Sequence, residues 1–319
     1  MKKCIISVVT PLYNEEKNLK VLFKRLDKTL SGLGKNFEII FVNDGSTDAS
    51  EKLLEEIHRD NQTVTVINLF RRMGKAAAVE QGFEIANGRY VVIIDGDLQH
   101  DPEDIPNLIR KLEEGFDVVS GKRVTRMDPK GKIITSRLFN ILMRWLTGLK
   151  FEDCFSGLKC FRLSVINYLA LYGDLYRFAS VFAFRNGFKV TEIAVKHRHR
   201  ANGTSKYTPW MRAKRGISDL AVVALSITFD RKRSYRLGMV GLLFVSIGFI
   251  LLILSMLAIK PLEILFGDFL WRAGLIILLI GVQFRLIKNA TDEFFIRHQD
   301  KSTQRARNVR NILRCKDNL

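Results

Sequence analysis

Val91-Val92-Ile93-Ile94 runs directly into Asp95-Gly96-Asp97. Four consecutive apolar residues read as a buried strand. Side chains two apart on a strand leave the same face, so both carboxylates emerge together at its end. Two hard oxygen donors so placed suit Mg²⁺ or Mn²⁺, which take few protein ligands and fill the rest from water and phosphate oxygens. A cation there neutralises charge building on a departing phosphate group. An isolated Asp-x-Asp is as readily a loop cap; the strand ahead of it is what sets this one apart.

Two further segments carry chemistry. In Thr10-Pro11-Leu12-Tyr13-Asn14-Glu15 the Tyr13 ring can stack on a base and Glu15 can cap the next helix. In Asn43-Asp44-Gly45-Ser46-Thr47-Asp48, Asp44 follows a strand and can accept hydrogen bonds from a base or ribose, while Gly45 permits a turn closed to other residues. The structural alternative is an Asx-turn at Asp44, with Thr47 or Asp48 capping the following helix.

The elements that must hold these residues follow from periodicity. Cys4–Val9, Phe37–Val42, Val64–Leu69 and Tyr90–Ile94 read as strands, and Glu15–Leu30, Ser50–Arg59, Lys75–Ala86 and Glu103–Glu113 as helices between them. Such a rhythm implies an α/β fold, a largely parallel sheet covered by helices, with ligands beyond the strand C-termini. The first apolar run is short, is closed by Pro11 and leads into charged residues, so it reads as a buried strand and not a signal sequence.

The formal charge of +18 is unevenly spread. Residues 1–120 carry 16 Lys/Arg against 20 Asp/Glu, residues 121–236 carry 24 against 7, and residues 237–319 carry 11 against 6. An acidic-leaning first part can hold a cation, and a basic middle can meet phosphates or anionic lipid. Cys4, Cys154, Cys160 and Cys315 form no C-x-x-C pair and imply neither zinc nor a disulfide scaffold.

Leu237–Ile259 lacks a formal charge and has about the length that a helix needs to cross a bilayer of roughly 30 Å. A second span is read at 269–287, where Arg272 and Arg285 lie near the ends and can snorkel; a re-entrant helix is its alternative. Arg231, Lys232, Arg233 and Arg236 precede the first span, and Lys288 with many later basic residues follows the second. The positive-inside rule then puts both termini in the cytoplasm, at an inner (plasma) membrane. The organisation expected is a catalytic domain over 1–209, an amphipathic juxtamembrane segment over 210–236, spans at 237–259 and 269–287, and a basic tail over 288–319.

Thr10-Pro-Leu-Tyr-Asn-Glu, Asn43-Asp-Gly-Ser-Thr-Asp and Asp95-Gly-Asp-Leu-Gln resemble, in order and spacing, the three signatures of inverting family 2 glycosyltransferases with the GT-A fold. The resemblance implies a nucleotide-sugar donor held by Pro11, Tyr13, Glu15, Asp44 and Asp95. It also implies Mg²⁺ or Mn²⁺ on Asp97, with Asp95 and Gln99 in support. The chain departs from the usual pattern in placing His100 ahead of Asp101.

Asp153-Cys-Phe-Ser-Gly-Leu-Lys-Cys-Phe-Arg162 and Arg200-Ala-Asn-Gly-Thr-Ser205-Lys206-Tyr207 narrow the resemblance to the polyprenyl-phosphate (dolichol- or undecaprenyl-phosphate) sugar transferases. A phosphate monoester has a second pKa of about 6 and hardly needs deprotonating; it needs guanidinium groups to hold it against a donor diphosphate. Arg123 and Arg137 are the residues expected there, although both also fit a general basic face. Arg200, Ser205 and Lys206 are expected on a loop closing over the diphosphate. Asp153 is a candidate base or acceptor-orienting group, or else a cap.

Single displacement with inversion is the expected chemistry, with UDP weakly preferred over GDP. A transferase onto a glycerolipid and a processive polysaccharide synthase are the rival enzymes; the synthase's Gln-x-x-Arg-Trp motif lacks its Gln at Ile141-Leu-Met-Arg144-Trp145. Outside catalysis, an anionic-ligand-binding scaffold remains. The intact carboxylate motifs speak against it, and no motif supports nucleic-acid binding. Partners are thus a nucleotide sugar, a polyprenyl phosphate and the membrane, with a homo-oligomer possible.

Overall fold

The computed structural model describes residues 4–124, 141–142, 144, 147–149, 151–153, 156–169, 173–198, 231–257, 268–305 and 309–313. The chain forms two compact units: Met1–Gly216 together with Thr303–Leu319, and Ile217–Ser302.

The first unit is built on strands β1 (Ile6–Leu12), β2 (Phe37–Asn43), β3 (Val64–Leu69), β4 (Tyr90–Ile93), β5 (Val118–Arg123), β6 (Lys159–Arg162), β7 (Val190–Val195) and β8 (Val309–Leu313), in the order β7-β5-β6-β4-β1-β2-β3-β8. β4, β1, β2 and β3 run parallel, β6 is antiparallel to both β4 and β5, and β8 is antiparallel to β3. Helices α1 (Glu16–Ser31), α2 (Ser50–Asp60), α3 (Lys75–Ile85) and α4 (Ile105–Glu113) are the crossovers and early flanking layer, followed by the short α5 (Leu163–Leu169) and α6 (Ala179–Arg185). The α/β architecture read from periodicity is the one observed.

Amphipathic spacing explains how the helices sit. Leu19, Leu22, Leu26 and Leu30 of α1 recur at helical intervals, and all are fully buried against β1, β2 and β4 residues such as Val8, Phe41 and Val92. Each such leucine contributes about 1.5–3 kcal/mol. The opposite face of the sheet packs Val9, Ile40, Ile67 and Val91 on Ala78, Val79 and Phe83 of α3.

Two differences from the sequence reading have physical causes. β1 continues through Pro11 to Leu12, because β4 pairs with β1 only as far as Val9 and leaves that flank open, where a residue without an N–H costs nothing. The C-terminal region is also more than a basic tail, since residues 309–313 rejoin the sheet as its edge strand.

The second unit contains α7 (Arg231–Leu257) and most of α8 (Asp268–Arg305). Gly238–Met256 and Phe269–Asn289 are long and apolar enough to cross a membrane. Their large side chains, including Leu243, Phe249, Ile250, Leu279 and Leu286, face outward, as lipid-facing residues do and the core of a soluble protein does not. The two helices meet antiparallel through glycines: a Cβ on Gly248 would lie 2.8 Å from the Gly274 carbonyl, and one on Gly281 would lie 2.7 Å from the Val245 nitrogen.

Candidate active site

The loops after β1, β2 and β3 and the end of β4 gather at the C-terminal edge of the parallel strands. The first two are tied together. Asn14, in a left-handed conformation at φ 53, donates its backbone N–H to Ser46 Oγ at 2.9 Å and accepts the Thr47 N–H at 2.8 Å. The Glu15 N–H donates to Ser50 Oγ at 3.0 Å, and Asp48 accepts from the Ser50 N–H at 3.0 Å, so Asp48 serves the first turn of α2. Glu15 occupies the N-cap position of α1 and accepts from the Asn18 side chain at 2.6 Å.

Asp44 is buried and its carboxylate accepts from the backbone N–H groups of Met73, at 2.6 Å, and Gly74, at 2.9 Å. It therefore fixes the loop between β3 and α3. Gly45, at φ 64, lets that loop approach, because a Cβ there would run into the backbone of Arg71. The Arg72 guanidinium lies 4.4 Å from the centre of the Tyr13 ring, covering a face on which base stacking was expected. Pro11 is the second-last residue of β1, just ahead of this cluster.

At the end of β4, Asp95 forms an ion pair with Lys75, the first residue of α3. Burial pushes the Asp95 carboxyl up, but Lys75, then His100 and Arg123, outweigh it and hold it below the usual carboxylate range. For Lys75, burial lowers the ammonium, and Asp95 more than reverses that, leaving it raised. Asp97 is buried and accepts the Gln99 N–H at 3.1 Å across Leu98, which has a φ of 59. Gly157 completes the cradle: a Cβ there would fall 2.5 Å from Asp95 Oδ2 and 3.1 Å from His100 Nε2.

His100 stacks edge-on with His197 at 5.6 Å, and its Nδ1 is buried with no hydrogen-bond partner among the described residues. Burial is the main reason its pKa falls to about 4, so the ring is neutral at pH 7. The next residue, Asp101, is fully buried and joins three elements. It accepts from Arg25 of α1, from Arg198 at 2.7 Å and from the Glu103 N–H at 3.1 Å. Burial raises its carboxyl, and these donors together lower it further than burial lifts it.

Arg123 and Asp153, expected to act separately, are paired. The guanidinium donates Nε–H to Oδ2 at 2.7 Å and Nη2–H to Oδ1 at 2.9 Å, and Asp153 is almost wholly buried. Glu192 in turn accepts the backbone N–H groups of Glu152 and Asp153, at 2.9 and 3.3 Å. Arg137, Arg200, Ser205, Lys206 and the 210–230 part of the amphipathic segment lie outside the described residues.

The structure thus gathers Tyr13, Asp44, Asp95, Asp97 and Gln99 at one edge of the sheet and pairs Arg123 with Asp153. Sequence reasoning missed Lys75, Arg72 and His197, and marked His100 only as a departure from the family pattern. A lysine in the first turn of a helix, where the dipole disfavours a cation, was a readable signal for Lys75; nothing in the sequence marked Arg72 or His197.

Donor set and cradle fit a divalent cation. Among the described residues no cluster of three His, Cys, Asp or Glu side chains forms a self-sufficient metal cage. Two carboxylates at an open strand end match instead an ion that completes its shell from phosphate and water.

A parallel sheet with paired carboxylates at the end of its fourth strand is the frame of a GT-A-type glycosyltransferase. Residues 7–169 match the model of glycosyl transferase family 2, and the chain belongs to that family. It is similar to the undecaprenyl-phosphate 4-deoxy-4-formamido-L-arabinose transferase of Edwardsiella ictaluri, 36% identical over 280 residues, covering 88% of this chain and 85% of that protein. The Pseudomonas aeruginosa protein of that name is 38% identical over 207 residues, 64% of this chain, and the match spans 60% of that relative's length. In fold the chain is similar to glucosyl-3-phosphoglycerate synthase from Mycobacterium tuberculosis, solved with Mn²⁺, UDP and phosphoglyceric acid, at a TM-score of 0.56 and 20% identity over 70% of this chain and 78% of that one.

Proposed function

We propose that the protein transfers a sugar from a nucleotide-diphosphate sugar, with UDP preferred to GDP, to a membrane polyprenyl phosphate with inversion. The observation that carries this reading is the charge pattern around Asp95. At the acidic end of β4, Asp95 is paired with Lys75, and Arg123 of the Arg123–Asp153 pair is near enough to help lower the Asp95 pKa. A diphosphate and a phosphate, which repel one another, need a cationic frame of this kind. The names of the relatives support the acceptor class.

Each residue then has a task. The Tyr13 ring, with Arg72 over one face, stacks on the base with the other; Asp44 shapes the loop beside it; Asp95 and Asp97, with Gln99, would hold Mg²⁺ or Mn²⁺. When bound, that ion offsets charge on the departing nucleoside diphosphate. Arg123 orients the lipid phosphate so that its oxygen faces the anomeric carbon. Because the phosphate already carries its charge, no base is required, and a carboxylate locked by a guanidinium is poorly suited to being one. Asp153 is accordingly a positioning residue for Arg123, a revision of the catalytic role expected from sequence. Arg137, Arg200, Ser205 and Lys206 keep the phosphate-binding roles that the resemblance implies.

The apolar helices anchor the enzyme at the plasma membrane with its catalytic unit in the cytoplasm. The basic flanks of both spans support that orientation, and β8, which follows the second apolar helix yet belongs to the same sheet as β1, supports an even number of crossings. A chain that leaves a sheet and later rejoins it must cross the membrane an even number of times.

The test is a panel of labelled nucleotide sugars offered to the purified full chain with polyprenyl phosphate or diacylglycerol, with Mg²⁺, Mn²⁺ or a chelator. Metal-dependent transfer to polyprenyl phosphate is expected. Transfer only to diacylglycerol, or undiminished transfer under chelation, would overturn the reading.

A further inference from the structure

Three asparagines stand in one row across the sheet edge. In the strand register Asn43 of β2 faces Asn68 of β3, and Asn68 faces Asn311 of β8. Asn43 Nδ2 donates to Asn68 Oδ1 at 2.9 Å, and Asn43 Oδ1 accepts the Ser46 N–H at 3.0 Å. Ser46 Oγ accepts the Asn14 N–H, so the row ends in the two loops around Tyr13 and Asp44.

At its other end the row holds an unmet donor and an unmet acceptor. Among the described residues, Asn68 Nδ2 is buried without a partner, and so is Asn311 Oδ1 on the strand opposite. Directly opposed side chains of antiparallel strands have Cβ atoms about 4.5–5.5 Å apart, within reach of two amides that turn toward each other. Burying a donor and an acceptor side by side and leaving both unsatisfied is rare in native proteins.

We propose that Asn311 completes an amide ladder, Asn311–Asn68–Asn43–Ser46, that sets the turn carrying Asp44, and is thereby a positioning residue for donor binding. The inference rests on the reading of that turn as part of the nucleotide site. Its physical content is that Asn68 has one conformation only when both its amide ends are engaged. Asn43 Nδ2 then has a fixed acceptor, Asn43 Oδ1 a fixed aim at Ser46, and Asp44 a fixed aim at Met73 and Gly74. A segment that follows both apolar helices in sequence contributes in this way to recognition of the nucleotide.

The experiment uses the full chain in nanodiscs and the nucleotide sugar that the wild-type enzyme turns over. Asn311→Leu, close in size but unable to accept, should raise the KM for the nucleotide sugar about fivefold, the scale of one buried amide hydrogen bond, and leave kcat and the lipid-phosphate KM within about twofold. Asn311→Asp keeps an acceptor oxygen and should retain the wild-type KM. The double variant Asn68→Leu/Asn311→Leu exchanges one unmet buried donor, Asn68 Nδ2, for another, Asn43 Nδ2, so its Tm should match that of Asn311→Leu while its donor KM rises further, because Asn43 itself has lost its acceptor. A merely structural asparagine would leave KM following Tm, with the single and double variants alike in both. An active wild type whose donor KM is untouched by Asn311→Leu overturns the ladder alone, whereas a wild type that turns over no nucleotide sugar overturns the reading on which it rests.

Discussion

Replacing Asp153 by Asn separates a base from a positioning residue. The carboxylate and the Arg123 guanidinium keep only 1% and 12% of their side-chain surface exposed and share two hydrogen bonds of 2.7 and 2.9 Å. Asparagine preserves the shape, keeps one acceptor oxygen and loses the second bond together with the charge. One charge-assisted bond at this burial is worth about 2–3 kcal/mol. At roughly 2–4 °C per kcal/mol for a domain of this size, scanning fluorimetry should show Tm lowered by about 5–10 °C. With Arg123 free to swing, the KM for a short-chain polyprenyl phosphate should rise about tenfold, the cost of about 1.4 kcal/mol of lost orientation, while kcat changes by less than about threefold. The acidic limb of the pH–rate profile should persist in the variant, because it belongs to the acceptor phosphate with its second pKa near 6. A hundredfold loss of kcat with an unchanged acceptor KM and no acidic limb would refute the argument and restore Asp153 as the base.

Gly157→Ala should weaken Mn²⁺ binding in the presence of UDP by at least about tenfold in calorimetry, since its Cβ would stand 2.5 Å from Asp95 Oδ2; unchanged affinity would remove the cradle from the site. Asp97→Asn should cut metal-supported turnover by about a hundredfold or more, and a variant with most of its activity and an intact metal requirement would remove Asp97 from the ligand set. Asp101, whose folded pKa is depressed, stabilises fully above its unfolded value of about 4 and loses that contribution as pH falls through the lower folded value. In Asp101→Asn the decline of Tm between pH 5 and 3 should therefore be shallower than in the wild type. An unchanged slope would show that the Arg25 and Arg198 contacts carry no linkage.

The first half of the sheet was legible because its strands are apolar on both faces and its crossovers have helical spacing. α2, β3 and α3 begin at the residues that periodicity marked. Asp95 and Asp97 were legible for the same reason, as a polar pair interrupting an apolar run. The Arg123–Asp153 pair was not, because two residues thirty apart each had a separate plausible task and only tertiary structure joins them. β8 was hidden by composition. Val309–Leu313 sits among the charges of a basic region, and its five residues are too few to show an alternation against that background. Its partner strand, not its own propensity, makes it a strand.

That late strand also bears on how the protein is made and handled. β8 leaves the ribosome only after both apolar helices, so until they have been synthesised the Val64–Leu69 strand stands as an open, apolar edge, the kind of surface on which sheets of neighbouring chains join. A soluble fragment cut ahead of the first apolar helix would keep that edge exposed permanently and should aggregate. One that carries Thr303–Leu319 on a flexible linker after Gly216 would bring its own cover and should remain monomeric.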